Sequence, residues 1–358
     1  MRIGLLSYYL ASKHSGQTRF LINISKGLKS IGHTPIVYSL YIDQEVSRFL
    51  MQNSIKHISL EKIPNKFTIL KTIPYSKTPA KSLSNLVKDN NLGDVYVVLA
   101  DEAISVVNYL SNFKTAYISN GDLALLFLNP EFKRKYMLAS VLLERKFIKQ
   151  IRTHAKIVSR FDKIMANSDF TSNLMAFLYG TPIDKVVYPP VDRSVFNNFS
   201  FSEPKNSYTL ALIRNEVEPT YLLVDLIANN LPVKVVGGGE VKNAVNLGFV
   251  SESELVKLYN LASFTISPSV VEFYGYGIVE SMSCGTPSIA YNNAGARELI
   301  KHGENGWLFS SKDDLLTGAK KLFYDGYDSA VRENCLKYSE KYSISESAHS
   351  LISIIKDI

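Results

Sequence analysis

Short apolar runs alternate along this chain with stretches whose apolar positions recur every three or four residues. RIGLLSYY (2–9), PIVYSLY (35–41), DVYVVLA (94–100), TAYISN (115–120) and KIMANS (163–168) read as buried strands. Between the first two, Phe20, Ile24, Leu28 and Ile31 take helical spacing, and Gly32 and His33 close the helix. Strand, loop, helix, strand is the opening of a doubly wound sheet. Residues 43–90 are broken by Pro64, Pro74 and Pro79 and read as short strands with irregular links and a helix near 80–89. Ser168 is placed to cap a helix over 170–179 that stops at Gly180. KVVYPPVD (185–192) adds a strand and a stiff pair of prolines.

The alternation restarts after SVFNNFSFSEPKNS (194–207), which is polar and irregular, as a linker should be. Strands are expected at YTLALIRN (208–215), PVKVVGGGE, NLGFV (246–250), FTISPS (264–269), SIAYNN (288–293) and GWLFS (306–310). Helices are expected near 220–229, 251–262, 312–323 and 329–338, the second carrying a capping arrangement at Ser251. Ile344, Ala348, Leu351 and Ile355 give a last helix. The expected domains are 1–193 and 208–340, joined by the linker 194–207, with a terminal segment 341–358.

At 358 residues the chain suits two cores better than one. Charge divides unevenly. Residues 1–200 hold 26 Lys or Arg against 14 Asp or Glu, and residues 201–358 hold 14 against 19. A basic first half suits anionic lipid, an anionic acceptor or nucleic acid, or simply keeps the protein soluble. No compact aromatic-and-basic motif supports nucleic acid. EFKRKYMLASVLLERKFIKQIR (131–152) is amphipathic, and residues 131–163 carry ten basic and three acidic groups. That stretch can lie on an anionic membrane or pack on its own sheet with its basic side solvated. Cys284 and Cys335 alone make no disulfide framework, and no CxxC or His-rich metal spacing occurs. MRIGLLSYYL lacks the apolar segment of a signal peptide, and no run is long enough to span a bilayer. A cytoplasmic protein is expected, with the inner membrane face as a peripheral site.

Candidate chemistry concentrates in EFYGYGIVESMSCGTPSIA (272–290). A helix beginning near Gly277 puts Glu272, Phe273, Tyr274, Gly275 and Tyr276 at its entrance and Glu280 one turn inside. A helix entrance offers unpaired N–H groups to phosphate, glycines let a backbone approach closely, and carboxylates accept from sugar hydroxyls. The triple glycine Gly237–Gly239 has room for a flat base or a phosphate, which makes Gly238 and Gly239 donor-binding candidates. Gly16 stands in the first strand–helix loop, either beside a ligand or as a plain turn glycine. G-x-G-x-x-G is absent.

EFYGYGIVESMSCGTPSIAYNNAGARELI (272–300) resembles the signature of the retaining glycosyltransferases of family 4: Glu272, seven residues, Glu280, small residues ending in Gly285-Thr286-Pro287, then Gly295 to Glu298. PSVVE (268–272), GGG (237–239), NSDF (167–170) and YPPVD (188–192) extend the likeness. It implies a GT-B fold, two doubly wound α/β domains facing a cleft, with a final helix that crosses back onto the first. It implies transfer of a hexose from a nucleotide-sugar donor, with retention, to a glycan, glycolipid or polyprenyl-linked acceptor. No metal or other cofactor is expected, since protein groups neutralise the diphosphate. Glu280 would bind ribose, Glu272 would lie by the transferred sugar, and Arg214 would face the diphosphate. Two departures stand out. Relatives place a lysine and a glycine where this chain has Pro219 and Thr220, so either another basic residue, Lys242 or Arg297, substitutes as the cation, or the donor is unusual, or activity is weak. A histidine usual after the strand TAYISN (115–120) is replaced by Asn120, followed by Gly121 and Asp122, which also read as a simple turn. A noncatalytic relative, and an epimerase of the same fold that needs no dinucleotide, remain as alternatives.

Overall fold

A computed structural model describes residues 1–10, 15–60, 77–99, 101–121, 151–199, 207–213, 221–269 and 272–358. Contacts divide the chain into two units, Met1–Pro190 with Ile344–Ile358, and Val191–Ser343.

The first unit is built on a seven-stranded parallel sheet: β1 (Arg2–Leu10), β2 (Thr34–Ile42), β3 (Lys56–Ser59), β4 (Val95–Val98), β5 (Thr115–Ser119), β6 (Lys163–Ala166) and β7 (Lys185–Val186). The spatial order is β3-β2-β1-β4-β5-β6-β7. Central parallel strands are covered on both faces and so are apolar throughout, and β1 and β4 follow that rule, with Leu5 and Val97 paired and fully buried. Helix α1 (Gly16–Ser30) starts at Ser15, whose hydroxyl accepts from the Thr18 amide at 3.2 Å. A helix absent from the expectations, α2 (Gln44–Gln52), is capped by Asp43 and buries only Val46 and Leu50. Its polar side hid the period. Then come α3 (Lys77–Asn90) and α4 (Asp169–Tyr179). The latter is capped at Ser168 and stopped by Gly180 in the left-handed region, as the sequence indicates. Residues 151–158, the described end of the basic amphipathic stretch, are helical and put His154, Ile157 and Val158 into the core beside Phe161. That part of the pattern packs on its own sheet. Residues 131–150 lie outside the described residues.

The second unit carries six parallel strands: β8 (Thr209–Ile213), β9 (Val233–Gly237), β10 (Val245–Gly248), β11 (Thr265–Ser267), β12 (Ser288–Tyr291) and β13 (Gly306–Phe309). Their order is β10-β9-β8-β11-β12-β13. Around them lie α5 (Tyr221–Ala228), α6 (Glu252–Leu261), α7 (Tyr276–Ser283), α8 (Ala296–Leu299), α9 (Lys312–Tyr324) and α10 (Ala330–Ser339). Residues 194–199, expected as linker, belong to this unit, and Phe196 is buried with its ring edge-on to Tyr259. The last helix, α11 (Ile344–Ile355), belongs to the first unit. It crosses α1 so closely at Gly27 that a methyl group there would run into the Ile344 carbonyl. Among the described residues no helix is long and apolar enough to cross a membrane.

Candidate active site

In both sheets the strand order reverses once, between β1 and β4 in the first and between β8 and β11 in the second. Open parallel sheets bind ligands beyond the carboxyl ends of strands at such a reversal. In the second unit β8 ends at Ile213 and β11 at Ser267, and Glu272 follows β11 by five residues. The loop is held by its own backbone: the Gly295 amide donates to the Glu272 carbonyl at 2.7 Å, and a Cβ on Gly295 would press on that oxygen and on the Phe273 carbonyl. Glu272 and Phe273 are half-buried. Tyr274 and Tyr276 are not surface groups of the loop. Both are buried, their rings edge-on at 5.2 Å, and Tyr274 also meets Tyr342. Their apolar rings gain more from the interior than from solvent.

Helix α7 opens at Gly275, whose φ of 94° lies in the left-handed region that glycine tolerates. The Ile278 and Val279 amides both point back to the Gly275 carbonyl, at 3.0 and 3.3 Å. Behind that first turn the small residues of SMSCGTPS let α7 lie close on the sheet. A buried hydroxyl chain runs Thr265 to Ser281 at 3.0 Å and Ser281 to the Thr286 carbonyl at 2.7 Å. Thr265 also meets Ser288 at 2.6 Å.

Glu280 sits deeper than expected. It has no exposed surface, and the Tyr259 hydroxyl on α6 donates to its Oε2 at 3.0 Å. A Cβ on Gly277, one turn earlier, would lie 3.7 Å from the same Tyr259 hydroxyl and 3.8 Å from Leu212 Cδ2. Gly277 and Glu280 therefore share one side of α7, against Tyr259 of α6 and Leu212 of β8. Both contacts are ordinary van der Waals distances, so the described residues leave room for alanine at 277.

The glycine loop after β9 is less open than the sequence suggests. The Gly238 amide is already bonded to the Ile213 carbonyl at 3.0 Å; Gly239 is buried, and only Gly238 is exposed. Arg214, Pro219 and Thr220 lie outside the described residues, directly after β8. Of the two substitute cations, Arg297 is exposed on α8, two residues beyond the Gly295 clamp on Glu272. Lys242 is exposed in the β9–β10 connection, at the edge of the sheet.

In the first unit a second polar cluster occupies the reversal point. Gly16 is the first residue of α1. Its neighbour Gln17 donates from Nε2 to Ser7 on β1 at 2.8 Å and to Glu102, just past β4, at 2.9 Å. Burial pushes the Glu102 carboxyl above its ordinary pKa, and the Gln17 hydrogen bond opposes this in part. Asn120, at the end of β5, donates through its side-chain amide to the Leu99 carbonyl. Asp122 lies outside the described residues.

Residues 240–342 match the family model of the glycosyl transferases, group 1. The match contains Glu272, α7 with Glu280, and Gly295 to Glu298. An uncharacterized glycosyltransferase of Methanocaldococcus jannaschii is 34% identical over 116 residues, 31% of this chain and 30% of that protein. A D-inositol 3-phosphate glycosyltransferase of Catenulispora acidiphila is 23% identical over 257 residues, 58% of this chain and 60% of that protein. The chain thus covers less than two thirds of either relative. Among solved structures, HepE of Anabaena in complex with UDP-glucose is similar with a TM-score of 0.74 at 16% identity, over 100% of both chains. That likeness is one of fold: the chain has the GT-B architecture of two doubly wound domains.

Two site-adjacent residues escaped the sequence reading: Tyr259 and Gln17. Tyr259 falls on the inward side of α6 with Val256, where a tyrosine reads as core. Gln17 follows Gly16 directly, and that adjacency was the one signal available.

Proposed function

We propose that this protein is a retaining glycosyltransferase that moves a hexose from a nucleotide-sugar donor to a hydroxyl of a glycan, glycolipid or polyprenyl-linked acceptor. The observation that carries the reading is the position of the Glu272 loop and the glycine-headed helix α7. They stand at the reversal point of the second sheet, inside the segment that matches the group 1 transferases. HepE, which shares the fold, binds UDP-glucose in its solved structure, and this supports a nucleotide-sugar donor here.

In this reading the diphosphate lies against the first turn of α7, where N–H groups and the helix dipole favour negative charge. Charge grows on the leaving diphosphate as the glycosidic bond breaks, so fixed donors there lower the barrier most. Arg214, directly after β8, supplies a forked cation, and Arg297 is the better placed substitute for the missing lysine because its segment is tied to Glu272. Glu272 accepts from hydroxyls of the transferred sugar. Glu280 accepts from the ribose, which reaches it past Gly277. Asn120 stands on the acceptor side and touches the transferring sugar. Protein groups, not a metal ion, neutralise the diphosphate.

The test is release of nucleoside diphosphate from a panel of UDP-, GDP- and ADP-hexoses, with products followed by mass spectrometry in a lipid-extract acceptor pool. At least one donor should turn over, activity should persist in EDTA, and the product should keep the donor's anomeric configuration by NMR. Nucleotide binding without turnover would point to a noncatalytic relative. Turnover abolished by EDTA and restored by a divalent ion would contradict the metal-independent mechanism.

A further inference from the structure

We infer that Asp101 is a positioning residue, whose single oxygen Oδ1 gathers the end of β5 and so fixes Asn120 where the first sheet reverses. The inference rests on the proposed role of Asn120 at the transferring sugar. Asp101 opens the 3₁₀ helix Asp101–Tyr109 directly after β4 and is 9% exposed. Its Oδ1 accepts from the Tyr117 hydroxyl at 2.6 Å, from Ser119 Oγ at 3.3 Å and from the Asn120 amide at 3.3 Å. The Asn120 side chain closes the circuit in the other direction by donating to the Leu99 carbonyl. Directly afterwards Gly121 turns the chain with a φ of 100°. Backbone and side chain of Asn120 are thus both tied to the exit of β4, the strand beside the reversal point.

A buried carboxylate is a poor device for stability alone, because desolvating the charge offsets most of what its hydrogen bonds return. What it does provide is one geometry. Three donors from residues 117, 119 and 120 converge on one atom, and a site residue held by such a supporting shell keeps its orientation. Neither Tyr117 nor Ser119 reaches solvent, so neither is placed to meet substrate itself.

The experiment is a double-mutant cycle. Wild type, Asp101→Ala, Asn120→Ala and the double variant are assayed for nucleoside diphosphate release from the nucleotide-hexose that wild type uses best. Values of kcat and KM are separated, and melting temperatures are recorded. Asn120→Ala should lower kcat about tenfold or more, from the usual scale of one positioned polar group. Asp101→Ala should lower kcat comparably with little change in donor KM, and the double variant should be within about threefold of the worse single one. Asp101→Asn keeps a carbonyl acceptor and should recover most of the loss. If Asp101→Ala does not fold, Tyr117→Phe takes its place in the cycle, since it removes one donor to Asp101 and leaves Asp101 and Asn120 intact. Multiplicative losses in the cycle would overturn the inference alone. Full kcat in Asn120→Ala, or no release from any donor by wild type, would overturn the reading of Asn120 and the inference with it.

Discussion

At the scale of single residues, Glu280 shows how a sequence motif and its setting diverge. The spacing from Glu272 identifies it, yet the structure gives it no exposed surface and a tyrosine partner 21 residues away. Nothing in local periodicity announces such a bond, because an inward tyrosine on α6 looks like any core aromatic. The same holds for Asp101, whose partners come from another strand. Tyr274 and Tyr276 show the converse: in a site motif they read as ligand groups, and the structure buries both rings. Glu280→Gln tests which role Glu280 fills. The amide still accepts from Tyr259 but turns one acceptor into a donor. If the ribose uses that carboxylate, nucleotide affinity by calorimetry should fall about tenfold, or about 1.4 kcal/mol. Unchanged affinity would assign Glu280 to the fold.

Among the elements, strands and capped helices were legible because burial and capping act locally. Ser168 with Gly180 and Ser251 with α6 are cases where one side chain marks the boundary. The order of strands in each sheet was not legible, since it depends on pairings between distant segments. The basic amphipathic stretch left two packings open, and its described end at 151–158 goes to the core. There His154 stacks on Tyr179 at 4.4 Å and is 2% exposed, and burial drives its pKa down to about 4 from an ordinary 6.5. Between those values the unfolded chain takes up a proton that the folded one refuses, so stability falls as pH is lowered through this window. Stability is full above pH 6.5 and about 3 kcal/mol lower by pH 4 from this group. Urea midpoints across pH 4–7 should show the slope, and His154→Phe should flatten it. An equal slope in the variant would contradict the buried neutral imidazole.

For the whole molecule, the two-fold restart of the strand–helix alternation was visible in the sequence, and the chain is two doubly wound units. The boundary was harder to read. The second unit begins at Val191, and Phe196 is buried in it although its neighbours are polar, so the composition of 194–207 looks like linker while part of it packs. Both units present a reversal point with polar groups, but the site motif and the family match lie in the second alone. The nucleotide sugar is proposed to lie against the first turn of α7, and Gly277→Ala tests that placement most directly. Among the described residues the methyl group would meet only Tyr259 and Leu212, at ordinary contact distances, and alanine favours a helix over glycine by about 1 kcal/mol. The variant should therefore melt no lower than wild type. With the donor that wild type binds best, calorimetric titration should show affinity reduced at least about tenfold, because the methyl group stands where the ligand approaches the backbone. A Gly277→Ala protein of undiminished stability that binds the donor as tightly as wild type would contradict the placement of the site.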